Sequence, residues 1–192
     1  MTFLSEPAPS PAVQARYDAD LATHGFVMNL SHLWAHEPEA HVRLFELLGE
    51  LGSAFSFRER GILVTAAAST IGDSYCSLAW GWKLSASGHT DAATGVLSGS
   101  DAGLSDRERA LATWTRQVAS GAGRTTAADV EALRDAGWSD DEIFRATAFL
   151  ALRMAFSTVN AALGASPDAE LAALAPPEVG SLVTWGRPVE TA

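Results

Sequence analysis

Apolar residues recur along most of the chain at three- and four-residue spacing, the period of an amphipathic helix. After a proline-bearing stretch over residues 1–10, Pro11 suits the first position of a helix that runs to about His24 and is closed by Gly25. Pro38 opens another, in which Val42, Phe45, Leu48 and Leu51 share one face and Gly49 and Gly52 weaken the end. Three later starts fit the capping box: Ser56 with Glu59, Ser105 with Glu108, and Ser139 with Glu142. In each, the serine oxygen satisfies an orphan backbone amide and the glutamate reaches back to the cap. Thr126 with Asp129 is a weaker version, and Gly137 closes that helix. The longest apolar stretch, Ile143 to Leu163, is interrupted by Arg145, Arg153 and Asn160, which predicts a buried core helix and not a membrane span.

No segment alternates with period two for long enough to predict a strand. The pattern predicts an all-α fold of about eight helices. Its parts are a loose arm over 1–10, a single helical domain over 11–175 and a tail over 176–192. The helix bearing Cys76 is expected to start near Ser74 and to pack beside the one over 61–71, where Ala66-Ala67-Ala68 permits close approach. There is also an internal echo. Ser56-Phe57-Arg58-Glu59-Arg60 resembles Ser105-Asp106-Arg107-Glu108-Arg109, which fits a duplicated helical unit or two helices independently capped the same way.

Composition narrows the function classes. The net charge is −10 and no Lys/Arg cluster overrides it, so nucleic acid and anionic membranes are not expected as partners. A single cysteine excludes an intramolecular disulfide and a multi-cysteine zinc site. With no basic-then-apolar pattern from Met1 to Pro7, it leads to the expectation of a cytoplasmic protein. No phosphate loop, dinucleotide fingerprint or Gly-x-Ser-x-Gly elbow is present, so no cofactor is expected. His32 and His36 stand four apart beside Glu37, with His41 beyond, but Pro38 interrupts the run and no third ligand is fixed; they are read as surface histidines, with no metal site. Six tryptophans in a small acidic chain suggest aromatic interface anchors and hence a homo-oligomer, with Trp114 and Trp185 as candidate contacts.

The candidate chemistry centres on Asp73-Ser74-Tyr75-Cys76-Ser77-Leu78-Ala79-Trp80. Cys76 falls in the first turn of a helix, where exposed amides favour a thiolate. Asp73, three residues before it on the same face, opposes that, and as an N-cap it also has a structural role. Cys76, Trp80 and Lys83 share a face, although Lys83 is too distant along the helix to pair with the thiol. Trp80 suits packing or a pocket wall but cannot shuttle protons as imidazole does. Arg153, a charge within an apolar helix, is expected to need a carboxylate, with Glu59 and Glu108 as candidates.

Four stretches in order carry a family resemblance: Arg58–Val64 leading to Tyr75-Cys76, Leu104–Leu111, Asp129–Ile143 and Asn160–Gly164. On these the chain resembles the alkylhydroperoxidase D-like branch of the carboxymuconolactone decarboxylase superfamily, and most closely its peroxidase-related members. The resemblance implies a helical fold and a homo-oligomer (dimer, trimer or hexamer). It also implies a Cys-x-x-Cys with a downstream histidine and an upstream glutamate that relay protons to the thiols. Cys76 falls on the second cysteine of that pattern. Asp73 falls on the first, Trp80 on the histidine and Gly61 on the glutamate. A shifted alignment offers Glu59, which already fits the capping box at Ser56.

The expected catalytic residue is therefore Cys76, with Gly61, Asp73, Tyr75 and Trp80 at pocket or altered motif positions. Three functions compete. A one-cysteine thiol peroxidase would oxidise Cys76 to a sulfenic acid and need an outside thiol. A non-catalytic descendant would use the cavity for an apolar or acidic small molecule. A decarboxylase-type lyase would need general acid/base groups that the replaced positions do not supply.

Overall fold

The computed structural model describes residues 2–190; the outer ends of the expected arm and tail, residue 1 and residues 191–192, lie outside the described residues. Eleven α-helices and no strand occur among the described residues. They are α1 (Pro11–His24), α2 (Asn29–Trp34), α3 (Pro38–Gly52), α4 (Phe57–Ile71), α5 (Ser74–Ala86), α6 (Thr90–Ser98), α7 (Asp106–Gly121), α8 (Ala127–Asp135), α9 (Asp140–Ala162), α10 (Ala169–Leu174) and α11 (Pro177–Gly180). A short 3-10 turn, Ala122–Arg124, joins α7 to α8. No helix is long and apolar enough to cross a membrane.

The helix starts follow from local chemistry. Ser56, Ser105 and Ser139 each accept from the amide of the glutamate three residues on, and that glutamate accepts from the cap amide in return. Asp129 accepts from the Thr126 amide at 2.7 Å and from its hydroxyl at 2.8 Å. These starts are also tied to one another. Arg58 pairs with Glu108 at 2.6 Å, while Arg107 lies 3.8 Å from Glu59 and 2.7 Å from Glu142, with its guanidinium over the Trp138 ring. The two echoed segments thus exchange Arg and Glu reciprocally, as a local two-fold relation between equivalent units would produce. This favours the duplicated-unit explanation of the echo.

α4 is the central helix. It packs on α5, α6, α7 and α9, and its Ala66-Ala67-Ala68 run is buried. The main core joins side chains of α4, α5, α7 and α9. Gly61 sets how closely α4 meets α5: a Cβ there would lie 2.4 Å from Leu84 Cδ2.

The described segments before α1 and after α11 pack onto this body. The Phe3 amide donates to Leu163 O at 2.8 Å. The segment after α11 returns to the start of α5, where Trp185 Nε1 donates to Ser77 Oγ at 3.3 Å and Ser74 Oγ donates to Arg187 O at 2.7 Å. Val179 of α11 is fully buried.

On α3 the buried stripe differs from the predicted one. His41, Leu48 and Gly52 are buried, whereas Val42 and Phe45 are 52% and 39% exposed. α1 touches α3 but buries only Val13 and Asp20 itself, and the Val42–Phe45 side of α3 borders an open space between them.

Candidate functional site

That space is a cavity of about 560 Å³ bounded by α1, α3, α5 and α9. Tyr75, Cys76, Trp80 and Lys83 reach it from α5, His41 and Phe45 from α3, and Arg153 and Phe156 from α9. Arg16 and Asp20 of α1 also line it and are bound to each other at 3.1 Å.

Cys76 is placed by the turn between α4 and α5. Gly72 adopts a left-handed φ of 75°, a conformation that costs glycine little, and ends α4. Asp73 then caps α5, its carboxylate accepting from the Cys76 amide at 3.0 Å. Cys76 is 3% exposed and lines the cavity. Arg153 Nη2 is 3.5 Å from Cys76 Sγ and Ser157 Oγ is 3.7 Å from it, both presented one turn apart by α9. Burial and then the Asp73 charge push the thiol up to about 12, against the smaller opposing pulls of Arg153 and Ser157. Burial and the Asp73 carboxylate together oppose the thiolate that the first turn of a helix would otherwise favour.

Tyr75 lines the cavity with its ring but turns its hydroxyl away, donating a short hydrogen bond to Asp168. Asp168 also accepts from the Asn29 amide at 2.7 Å. Burial foremost, with Asp168 beside it, holds the Tyr75 phenol well above its ordinary value, so it remains protonated.

Arg153 is 6% exposed and pairs with no carboxylate among the described residues, which corrects the expectation that Glu59 or Glu108 would neutralise it. Those two glutamates are held at the capping boxes by Ser56, Ser105, Arg58 and Arg107. Aromatic rings surround the guanidinium: Phe156 at 5.1 Å, Trp80 at 5.9 Å and Phe45 at 6.0 Å. Lys83 stands 5.2 Å from the Trp80 ring centre, so two cations approach the same ring.

The structure therefore brings Tyr75, Cys76 and Trp80 to one cavity. Asp73 lies beneath it as a cap, and Gly61 lies away from it against Leu84. Trp114, a candidate interface residue, is instead a core residue whose Nε1 donates to Thr147 at 3.0 Å. His32 meets Glu6 at 2.8 Å and His36 meets Ser5 O at 3.1 Å. Among the described residues no group of histidine, cysteine and carboxylate side chains is arranged to hold a metal ion. His41, Phe45 and Phe156 were not foreseen as cavity residues, since an apolar or aromatic position on a helix carries the same signal whether it faces core or cavity.

The fold is alkylhydroperoxidase D-like, as its likeness to solved structures shows. Solved structures similar to the chain include an uncharacterized peroxidase-related protein from Ralstonia eutropha JMP134, described as an alkylhydroperoxidase AhpD core. It has a TM-score of 0.77 and 22% identity over 88% of this chain and 94% of that one. An uncharacterized peroxidase-related protein from Silicibacter sp. TM1040 matches with a TM-score of 0.75 and 22% identity, covering 88% of this chain and 93% of that one. A cysteine-to-alanine variant of the debrominase Bmp8, in complex with 2,3,4-tribromopyrrole, matches with a TM-score of 0.71 and 14% identity, covering 89% and 95%. No family model and no curated protein matches the chain.

Proposed function

We propose that the chain is a divergent peroxidase-related member of the alkylhydroperoxidase D-like superfamily that binds a small molecule in the cavity above Cys76, and that its thiol sustains little peroxidase turnover. The observation that carries this is what occupies the relay positions. Gly61 is closed off by Leu84, Asp73 is spent as a helix cap, and Trp80 forms a cavity wall. Attack on a peroxide needs a thiolate, and burial with Asp73 keeps Cys76 protonated. The positions that would carry the glutamate and histidine of the relay hold Gly61 and Trp80, which transfer no proton, and the chain has no second cysteine to resolve a sulfenic acid.

The cavity itself has the size and aromatic lining of a ligand site. That a debrominase of similar fold holds a flat halogenated heterocycle supports a small planar ligand for this one. A one-cysteine peroxidase is the second reading, favoured by the Arg153 guanidinium 3.5 Å from the sulfur, which would stabilise a thiolate once formed. Peroxide consumption with dithiothreitol, in the wild type and in Cys76→Ser, separates the two. Equal low rates are expected. Robust wild-type turnover that disappears in Cys76→Ser would overturn the binding role in favour of the peroxidase.

A further inference from the structure

Arg153 brings a full charge to the cavity floor with no counter-ion. It is more than nine-tenths buried, its Nε has no hydrogen-bond partner among the described residues, and its Nη2 reaches only the Cys76 sulfur. A buried cation is costly unless paired, and the three surrounding rings offset only part of that cost. Lys83, near the same Trp80 ring, adds a second cation with no acidic partner among the described residues. The acids that line the cavity do not reach them. Asp20 is engaged by Arg16 at 3.1 Å and by the Met28 amide at 3.0 Å, and Glu46 is exposed on α3 with no ion pair among the described residues.

We infer that the ligand of this cavity is a small aromatic monoanion, an arene carboxylate or a group of like shape and charge, held by Arg153 with its ring along Trp80, Phe45 and Phe156. This deepens the small-molecule reading of the cavity and rests on it. The Nε edge of a guanidinium presents two parallel N–H groups, which match the two oxygens of one carboxylate. Here Arg153 lines the cavity, its Nε has no hydrogen-bond partner among the described residues, and its Nη2 is held only by the weak acceptor Cys76 Sγ at 3.5 Å. Lys83 reinforces the same sign of charge. His41, which also lines the cavity, adds no charge near neutral pH, because burial and Arg16 push it down to about 4. The apolar remainder of the lining selects against small hydrated inorganic anions, which would lose their water without ring contacts in return.

Calorimetric titration with 2-naphthoate and its neutral isostere 2-naphthamide tests this, in the wild type and in Arg153→Gln. The carboxylate should bind at least about tenfold more tightly than the amide in the wild type, and that preference should largely vanish in Arg153→Gln. Lys83→Gln, expected to weaken only the carboxylate, by about threefold, serves if Arg153→Gln does not fold. Equal affinity for amide and carboxylate would overturn the anion assignment while leaving the cavity as a ligand site. If neither compound binds or raises the unfolding temperature at millimolar concentration, the aromatic monoanion and the small-molecule reading both fall.

Discussion

Removing the Asp73 charge should make Cys76 more reactive, but only modestly. With its thiol pushed up to about 12, Cys76 is thiolate in on the order of one molecule in 10⁵ at pH 7, against about 3% for a free thiol of pKa ~8.5. Alkylation by iodoacetamide at pH 7 should therefore run on the order of 10³-fold slower than for a free cysteine. Asp73→Asn isolates one cause. Asparagine caps a helix about as well as aspartate, so α5 keeps its start and loses only the carboxylate charge. Burial is the larger cause and Asp73 the next, so the substitution recovers the smaller share. The rate should rise on the order of tenfold, well short of the free-thiol value. The assay is intact-mass detection of carbamidomethylation between about pH 6 and about pH 11. A wild-type rate that levels off below pH 9, or an Asp73→Asn variant no faster than wild type, would refute the reasoning.

The same thiol links stability to pH. The folded protein keeps the Cys76 proton to about pH 12, while the unfolded chain releases it from pH ~8.5. Above that point the folded state binds more protons than the unfolded one, so stability falls as pH rises, by up to about 1.4 kcal/mol per pH unit. Below pH ~8 the thiol contributes no slope. Cys76→Ser should remove this alkaline slope in urea melts compared at about pH 8, 9 and 10.

Two further predictions concern packing. Gly61→Glu should destabilise by roughly 1–3 kcal/mol or more and should not raise peroxide consumption, because the added Cβ alone would fall 2.4 Å from Leu84 Cδ2; unchanged urea stability with rising activity would show that α5 can move aside. We also predict self-association, since Phe144 is 71% exposed on α9 and Val42 and Leu47 are exposed on α3; sedimentation of a monomer at micromolar concentration would contradict it.

Much of the fold was legible because its signals are local. A capping box is two side chains three residues apart, and each one here starts a helix where the spacing placed it. The short helices α2, α10 and α11 were not legible, since four to six residues are too few to establish a period. The cavity was hidden for a different reason. Val42 and Phe45 form an apolar stripe whether they meet a packed neighbour or a cavity, and only the tertiary arrangement, which leaves both on a cavity wall, decides between the two. Arg153 misled for the same reason. An isolated charge in an apolar helix announces a need, but its surroundings come from α3 and α5 as well as from its own helix, and these supply aromatic rings and a thiol in place of a carboxylate.

Asp73 shows where residue type runs out as a guide to chemistry. The carboxylate that caps α5 also opposes ionisation of the thiol three residues on, so one side chain both builds the helix start and suppresses its nucleophile. Neither role can be removed from the sequence pattern alone, because aspartate is the ordinary choice for the first and sufficient for the second. The Asn variant separates them physically, since it keeps the cap and discards the charge. The cavity does not depend on that outcome. Its two unneutralised cations are set by α5 and α9, so the site could lose all thiol chemistry and still select an anion.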